Sequence, residues 1–230
     1  MRNIAIIPAR SGSKGLRDKN IMPINDKPLL VYSIEEALRT KLFEVVMVST
    51  DSEKYADIAR EHGSEVPFLR SEDLSGDNIG SWEVVKEVLI KYKEQYDKEF
   101  DTVCLLQPTS PLRNSKDIMA AYGLLIEKKA DSVTAVCEME HSPKWSDVLP
   151  SDNSMKNFCA SFRNSQRQSL DTYYRINGAI YIRSVKYSTH DIDIQNNNEY
   201  AYIMDKDRSI DIDDEYDFLI AQFLMRKRND

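Results

Sequence analysis

The feature that most constrains this chain of 230 residues is a regular alternation of short apolar runs with segments of helical periodicity. The apolar runs predict strands at about 3–8, 43–49, 65–69, 103–107, 132–137 and 177–183. Apolar residues at helical spacing predict helices at about 28–40, 52–62, 81–96, 115–129 and 214–226. Strands and helices that alternate over short connections build a parallel sheet. We therefore expect an α/β fold, with a Rossmann-like, mostly parallel sheet and helices on both faces.

The alternation stops between about residue 139 and residue 195, where the sequence is polar and irregular apart from the run 177–183. A segment with so few apolar residues is too polar to form a core of its own. We interpret it as an insertion, either a flap that caps the substrate or a dimerisation arm. The chain is then a single domain over residues 1–230 that carries this region.

The composition disfavours some partners and compartments. The chain has 31 basic and 38 acidic residues, and its net charge of −7 disfavours a nucleic-acid backbone as a partner. No run of about 18 apolar residues predicts a membrane-spanning helix, and no apolar signal segment precedes the first strand. We therefore expect no nucleic-acid or membrane partner and a cytoplasmic location.

The loop after the first predicted strand is basic and rich in small residues. It reads PARSGSKGLRDKN over residues 8–20. It lacks the Gly-Lys-Ser/Thr ending of a Walker-type loop, and it has two glycines where a dinucleotide fingerprint needs three. Because ligands of parallel sheets bind at the carboxyl ends of the strands, this loop lies where a ligand is expected.

The residue types of the loop suit a triphosphate. Two glycines permit a close backbone approach, two serines add hydroxyl donors, and the cations offer a bidentate fork and point charges. The residues concerned are Arg10, Ser11, Gly12, Ser13, Lys14, Gly15 and Lys19. A solvated surface turn is the alternative, and it is disfavoured because it leaves this concentration of positive charge unexplained.

The other end of the chain is acidic. Asp211 and Asp213 alternate on an extended segment, so both carboxylates can face one site. Hard oxygen ligands suit Mg²⁺ or Mn²⁺ held jointly with phosphates. The alternative is an acidic cluster at the start of the last helix, and we assign that role to Asp214 and Glu215, where they complement the helix dipole.

Six stretches in register identify the chain as similar to a known family. They are residues 7–20, VSTDS at 48–52, FLRSEDLSGD at 68–77, LLQPTSPLR at 105–113, RINGAIYI at 175–182 and SIDIDDEYD at 209–217. This series resembles the acylneuraminate cytidylyltransferases, the enzymes that make CMP-sialic acid. The resemblance implies a nucleotide-diphospho-sugar transferase type of fold. It also implies attack by the hydroxyl of a sugar acid on the α-phosphorus of CTP, for cell-surface glycan biosynthesis.

The resemblance also implies roles for individual residues. Arg10, Lys14 and Lys19 would hold the triphosphate, and Lys19 and Asn20 would lie nearest the reacting phosphorus. The resemblance places Arg70 and Ser81 at the base and ribose. It places Gln107, Ser110 and Asn177 near the bound substrates. The catalytic residues would be Arg10, Lys19 and Asp211.

The carboxylate of the sugar acid needs a cation outside the triphosphate loop. Arg167 matches a basic position of the family, and Lys144 is the other candidate. The family often has the pattern H-x-P-x-K, whereas here the lysine comes one residue earlier and Trp145 takes its place. In the family this arm reaches across a homodimer, which makes a homodimer the implied assembly.

Several alternatives remain open at the level of sequence. Acidic pairs occur as D-x-D in metal-dependent glycosyltransferases, although there the motif usually follows a strand in the middle of the chain. An eight-carbon keto-sugar acid could replace the nonulosonic acid as acceptor, and a nucleotide-sensing domain would need no catalysis. Sialic, legionaminic and pseudaminic acids are not distinguished.

Overall fold

The computed structural model describes residues 1–12, 16–76, 79–161, 170–189 and 191–229. The helices are α1 Leu29–Thr40, α2 Glu53–Glu61, α3 Ser81–Tyr96, α4 Ser115–Lys128 and α5 Glu215–Asn229. The strands are β1 Asn3–Pro8, β2 Pro23–Ile24, β3 Lys27–Pro28, β4 Val45–Ser49, β5 Thr102–Leu105, β6 Ser132–Glu138, β7 Tyr174–Tyr187, β8 Ile192–Ile194 and β9 Glu199–Met204. All the predicted helices are present, with ends that differ by a few residues.

The main sheet has the order β4-β1-β5-β7-β6-β9, and β8 pairs with β7. β1 lies between two parallel neighbours, so that Ile6 pairs with Met47 of β4 and with Leu105 of β5. β9 is parallel to β6, whereas β7 runs antiparallel to both of its neighbours in this order. The predicted α/β fold is confirmed, with one long antiparallel strand in the middle of the sheet.

Two predicted boundaries differ from the structure. The predicted strand at 65–69 is wrong: Glu65 makes an isolated bridge to Met47, and Pro67, which has no N–H to donate, follows almost at once. The predicted insertion at about 139–195 overlaps the sheet, because β7 lies between β5 and β6 and continues into β8. The part outside the sheet therefore ends at residue 173.

The sheet has a different cover on each face. α1, α2 and α4 pack on one face, where Ile34, Tyr55 and Tyr122 join a large apolar core. α3 covers β1 and β5 on the other face through Val85, Val88 and neighbouring apolar residues. In the part of the chain that the structure describes, no helix combines the length and the apolar character that crossing a bilayer requires.

A third apolar cluster holds the last helix in place. Ala221 and Met225 of α5 pack against Leu29 at the start of α1 and against Leu112. Ile212, which lies between the two candidate metal ligands, is fully buried in the same cluster. This packing brings the acidic segment near residue 211 to the carboxyl ends of β1 and β5.

Candidate active site

A cleft of about 380 Å³ lies at the carboxyl ends of β1, β4 and β5. Its walls come from four loops and from the start of α3. Seven residues singled out in the sequence line it, namely Arg10, Lys19, Asn20, Arg70, Ser81, Gln107 and Asp213. Residues from positions 10 to 213 therefore meet in one cavity, which is where the fold predicts a ligand.

Part of the basic loop lies outside the described residues. Ser13, Lys14 and Gly15 fall there, and so does Arg167 of the inserted region. Gly12 is exposed, and a Cβ atom placed on it would meet no atom within 4 Å. The predicted roles of these residues stay predictions.

The described ends of the basic loop are anchored to the region after β4. The backbone N–H and the hydroxyl of Ser11 donate to the two carboxylate oxygens of Asp51, at 2.8 and 3.1 Å. At the other end, the hydroxyl of Tyr55 donates to Asp18 at 2.9 Å. The Ser11 hydroxyl therefore positions the loop in this structure, while its predicted contact with nucleotide stays a prediction.

Lys19 joins the basic loop to the acidic segment. Its Nζ donates to the carbonyl oxygen of Ile212 at 2.5 Å and lies 3.4 Å from Oδ1 of Asp213. The Lys19 side chain is only 13% exposed. Next to it, the amide of Asn20 donates to the carbonyl oxygen of Arg10 at 3.0 Å. An ammonium group that is largely shielded from water keeps more of its attraction for anions than a surface lysine does.

Arg70 supplies a fixed positive charge on the far wall of the cleft. Its guanidinium donates to the hydroxyl of Ser49 at 3.1 Å and to the Ser49 carbonyl oxygen at 2.7 Å. Burial lowers the pKa of Arg70 below its ordinary value, while the charges of Asp51 and Glu87 oppose that shift. The two hydrogen bonds hold the guanidinium plane in one orientation at the end of β4.

The two aspartates of the acidic segment differ in exposure. The backbone N–H of Ile212 donates to the carbonyl oxygen of Thr109 at 2.8 Å and fixes the segment between them. Asp213 is exposed, whereas Asp211 is largely buried, and Oδ1 of Asp211 has no hydrogen-bond partner among the described residues. Burial raises the pKa of Asp211, opposed by a hydrogen bond from Thr109 and by Lys19, while the charge of Asp213 raises it further.

These features fit a divalent cation. A buried carboxylate oxygen without a partner carries an uncompensated cost that a bound cation would remove. Among the described residues, no group of three or more His, Cys, Asp or Glu side chains could hold a metal by itself. Asp211 and Asp213 therefore suit Mg²⁺ or Mn²⁺ that takes its remaining oxygen ligands from phosphates and water.

The backbone of β7 lies behind Gln107 and against Asp211, which does not itself line the cleft. Gly178 has φ +77°, and a Cβ atom there would lie 2.5 Å from Oε1 of Gln107 and 2.9 Å from Oδ2 of Asp211. Only glycine tolerates both the backbone angle and this close approach. Gly178 thus brings the carboxyl end of β5 and the acidic segment against the same turn of β7.

Three residues predicted to contact substrate do not line the cleft. Ser110 is fully buried, and its hydroxyl has no partner among the described residues. The amide of Asn177 is buried and donates to the hydroxyl of Ser209 at 2.9 Å. Lys144 lies in the inserted region, 3.6 Å from Asp171. Their contacts with substrate stay predictions, and Asn177 has a structural role in addition.

One buried cation that was not predicted as a site residue, Arg113, lies behind the cleft. Its guanidinium donates to the carbonyl oxygens of Ala179 at 2.8 Å and Gln107 at 3.2 Å, and to the hydroxyl of Ser33 at 2.5 Å. Burial lowers the pKa of Arg113 to about 10. The arginine ties α1, the loop after β5 and β7 together, and it belongs to the stretch 105–113 that carries part of the family resemblance.

Comparison with known proteins assigns this architecture to a family. Residues 4–228 match a family model described as cytidylyltransferase. The N-acylneuraminate cytidylyltransferase of Escherichia coli O18:K1:H7 is 40% identical over 98% of this chain and 52% of its own length. The CMP-N,N'-diacetyllegionaminic acid synthase of Legionella pneumophila is 34% identical over 98% of this chain and 97% of its own length.

The comparison extends to the fold and to chain length. The solved structure of a CMP:2-keto-3-deoxy-manno-octonic acid synthetase complexed with CTP matches with a TM-score of 0.71, over 99% of this chain and 100% of that one. Its sequence identity is 14%, so this likeness concerns the fold alone. The chain spans about half the length of the Escherichia coli relative and nearly all of the Legionella one.

Proposed function

The chain belongs to the cytidylyltransferase family, and we propose that it joins CTP to the anomeric hydroxyl of a nonulosonic acid. The products are the CMP-sugar and pyrophosphate. Two relatives named for N-acylneuraminate and for diacetyllegionaminic acid support this class of acceptor, as they match almost the whole of this chain. They do not favour a glycosyltransferase or an enzyme for an eight-carbon acid.

The observation that carries the proposal is the meeting of opposite charges in one cleft. The basic loop and the acidic segment lie at opposite ends of the chain, yet Lys19 contacts both Ile212 and Asp213. A nucleoside triphosphate with its metal needs this pairing, because cations neutralise its phosphates while carboxylates hold the metal. A site for a neutral ligand would need neither.

The reaction forms one bond and breaks one. The anomeric hydroxyl oxygen of the acid bonds to the α-phosphorus of CTP, the bond from that phosphorus to pyrophosphate breaks, and the hydroxyl proton leaves. Transfer of this kind depends mainly on positioning and on neutralising charge. We assign Arg10 and Lys19 to the triphosphate, where their positive charges stabilise the negative charge on the phosphate oxygens in the transition state. Asp211 is the catalytic carboxylate beside them.

The metal assignment rests on the two aspartates. Asp211 and Asp213 would hold Mg²⁺ or Mn²⁺, which when bound draws negative charge from the phosphate oxygens. Lys19 keeps the acidic segment against the basic loop through its bond to the Ile212 carbonyl. The buried Oδ1 of Asp211 is the group that most needs a cation.

The nucleotide takes the β1 and β4 side of the cleft. Arg70 and Ser81 lie on that wall and serve the base and ribose in this assignment. Asn20, with Ser11 and the glycines of the loop, positions the phosphates. The hydrogen bonds of Arg70 to Ser49 support this assignment, because a guanidinium fixed before the ligand arrives loses less conformational freedom on binding.

The acceptor takes the β7 side of the cleft. Gln107 lies at the boundary between the two sides, and we assign Ser110 and Asn177 to the support of this boundary and of the bound acid. Lys144 and Arg167 are the candidate cations for the carboxylate of the acid. They lie in the inserted region, which supports an assembly in which one subunit of a homodimer completes the acceptor side of the other.

A screen of pyrophosphate release tests the proposed function. Each of the four common nucleoside triphosphates is offered with a panel of nine-carbon and eight-carbon keto-sugar acids. We expect release with CTP and a nine-carbon acid, and loss of release in EDTA that excess Mg²⁺ restores. Release of a nucleoside diphosphate with a sugar donor, or undiminished activity in EDTA, would contradict the proposal.

The homodimer is tested by dilution. Sedimentation velocity over a range of protein concentrations measures the assembly, and turnover per subunit is followed over the same range. We expect a dimer, and a fall in turnover per subunit where it dissociates. A monomer with full turnover would show that the acceptor side is complete within one chain.

A further inference from the structure

Helix α3 carries an ion pair that is largely shielded from water. Nζ of Lys91 lies 2.8 Å from Oε1 of Glu87, one helical turn earlier. The side chains of Lys91 and Glu87 are only 23% and 11% exposed. Ion pairs on a helix surface are usually exposed and contribute little, whereas a shielded pair keeps more of its attraction. Another segment of the chain therefore covers this pair.

The covering segment is the one that contains Arg70. The backbone N–H of Ser71 donates to Oε1 of Glu87 at 3.1 Å. Nζ of Lys91 donates to the carbonyl oxygen of Leu69 at 3.1 Å. The pair thus binds one polar backbone group on each side of Arg70, and we call Glu87 and Lys91 the α3 clamp.

The backbone around Arg70 has little support from the sheet. Among the described residues, the stretch that precedes Arg70 forms no strand beyond an isolated bridge between Glu65 and Met47. The N–H of Arg70 donates to the carbonyl oxygen of Thr50 at 2.8 Å. This bond and the two bonds to the α3 clamp hold the backbone on both sides of Arg70, in a place where paired strands would otherwise do so.

The guanidinium of Arg70 has donors left for a ligand. Nε and Nη2 donate to Ser49, and among the described residues Nη1 makes no hydrogen bond. Arg70 is only 8% exposed, yet it lines the cleft. A nearly buried guanidinium with N–H groups left over favours a ligand that accepts hydrogen bonds from it. The position of the backbone at Arg70 therefore decides where those donors lie.

The α3 clamp also holds the start of a turn that reaches the cleft. Ser71 precedes the short turn Glu72–Leu74. The hydroxyl of Ser75 donates to the carbonyl oxygen of Ser71 at 2.8 Å, which ties the turn to its first residue. Leu74, at the end of the turn, lines the cleft. A shift of Ser71 away from α3 would therefore displace part of the cleft wall.

The carboxyl group of Glu87 is held in its charged form. Burial raises its pKa, but the hydrogen bonds from Lys91 and Ser71 outweigh burial and bring the pKa below its ordinary value. Burial lowers the pKa of Arg70, and the charge of Glu87 is among those that oppose this shift. Oε2 of Glu87 is buried and has no hydrogen-bond partner among the described residues. A carboxylate buried at this cost supports a positive charge on the cleft wall.

We infer that Glu87 and Lys91 are positioning residues for the nucleotide, which hold Arg70 and the turn after it in place before CTP binds. This inference rests on the proposed function and adds to it two residues that do not line the cleft. A segment that is already ordered loses little conformational freedom when its ligand arrives, so the α3 clamp strengthens binding. Because the bound nucleotide and the transition state share this benefit, we expect the effect in the affinity for CTP and not in kcat.

The test measures CTP binding in the absence of acid. Isothermal titration calorimetry with CTP and Mg²⁺ gives the Kd for the wild type and for Glu87→Ala, which removes the acceptor of Ser71 and the partner of Lys91. We expect the Kd to rise about tenfold, as for one lost hydrogen bond to a charged group. In turnover assays, kcat and the KM for the acid should stay within about twofold. Glu94→Ala, which removes an exposed carboxylate of the same helix, is the control and should bind CTP as the wild type does.

Three further variants separate positioning from a general structural role. Glu87→Gln keeps an oxygen that accepts from Ser71 and Lys91, and we expect it to restore most of the affinity for CTP. Lys91→Met removes the donor to Leu69, and we expect the Kd to rise about threefold. Once Arg70→Met is in place, Glu87→Ala should change the Kd by less than about twofold, because residues that act through one another are not additive. Urea denaturation of each variant reports on folding independently of binding.

The outcomes distinguish the inference from the proposed function. An unchanged Kd in folded Glu87→Ala, or equal rises in the KM for CTP and the KM for the acid, would overturn the positioning role and leave the proposed function intact. If Glu87→Ala does not fold, Lys91→Met decides: an unchanged Kd overturns the role and a raised Kd supports it. A full further loss from Glu87→Ala in the Arg70→Met chain would also overturn it. Failure of the wild type to bind CTP would reject the proposed function, and the positioning role with it.

Discussion

The two sides of the cleft are built in different ways. On the proposed nucleotide side, Arg70 donates a hydrogen bond to Ser49, Lys19 to Ile212 and Ser11 to Asp51, so these three groups are held in place before a ligand arrives. On the proposed acceptor side, the buried hydroxyl of Ser110 and Oδ1 of Asp211 have no hydrogen-bond partner among the described residues. On the first side the chain itself supplies the hydrogen-bond partners, whereas on the second side a ligand would supply them.

This difference has a chemical reason. Every acceptor of the proposed class meets the same triphosphate, so a fixed constellation for the nucleotide serves all of them. Acceptors differ in their substituents, and their recognition requires groups that the substrate satisfies. Substitutions on the two sides are therefore expected to change the kinetic constants of different substrates.

The largest effect is expected at the junction of the two sides. Asp211→Ala removes the buried carboxylate whose Oδ2 faces Gly178 of β7, and we expect kcat to fall by about 10³-fold, as for loss of a principal electrostatic group. The assay is pyrophosphate release at saturating CTP and acid. Glu61→Ala, which removes an exposed carboxylate of α2, is the control and should keep full activity. Activity within about tenfold of wild type would contradict the metal assignment.

A loss of stability is expected where the two sides are tied together. Arg113→Met leaves the carbonyl oxygens of Gln107 and Ala179 without their donor, and we expect the free energy of unfolding to fall by about 3 kcal/mol. Urea denaturation followed by circular dichroism measures it. Arg39→Met is the matched control, because that arginine is 61% exposed and pairs with Glu36 on the surface of α1. A difference between the two variants below about 1 kcal/mol would mean that the buried arginine is dispensable.

A selective effect is expected on the nucleotide side. Lys19→Ala removes a shielded ammonium group from the cleft, and we expect kcat/KM for CTP to fall by about 10²-fold. The KM for the acid should stay within about twofold, because the two sides bind separately. Lys54→Ala, on the exposed face of α2, provides the control. An equal rise in the KM for the acid and the KM for CTP would contradict the proposal that the two substrates bind on separate sides of the cleft.

The smallest effect is expected in the inserted region. Lys144 is partly exposed and pairs with Asp171, so Lys144→Met is expected to raise the KM for the acid by no more than about tenfold. The KM for CTP should not change. Lys156→Met, an exposed lysine in the same region, is the control. A change in KM for CTP alone would place Lys144 on the nucleotide side.

Much of the fold was predictable because its signals are local. The helices followed from apolar spacing, and the paired strands β1, β4, β5 and β6 followed from short apolar runs. The direction and length of β7 were not predictable, because its pairing with β5 and β6 depends on contacts distant in sequence. The strand predicted from the apolar run at 65–69 is absent because Pro67 ends the pairing after the single bridge at Glu65.

The candidate site was predictable where charge and motif coincide. Seven of the predicted residues line one cleft, because the loops at the carboxyl ends of the strands carry the motif residues and meet at one edge of the sheet. The burial of Arg113 was not predictable, because only the packing of the fold shows that this loop arginine is buried. The contact of the Arg183 guanidinium with the Trp82 ring, 3.7 Å from the ring centre, was not predictable either, because Trp82 matched the apolar face of a helix and Arg183 matched a strand.

In the proposed reaction, the anomeric oxygen of a sugar acid displaces pyrophosphate from CTP. The direct measurement is phosphorus NMR of the reaction with an acid whose anomeric hydroxyl carries oxygen-18. We predict that the label appears in the bridging oxygen of the CMP-sugar, as an isotope shift of its phosphorus signal, with unlabelled pyrophosphate released. Label in pyrophosphate or free CMP, or no labelled CMP-sugar, would contradict the account.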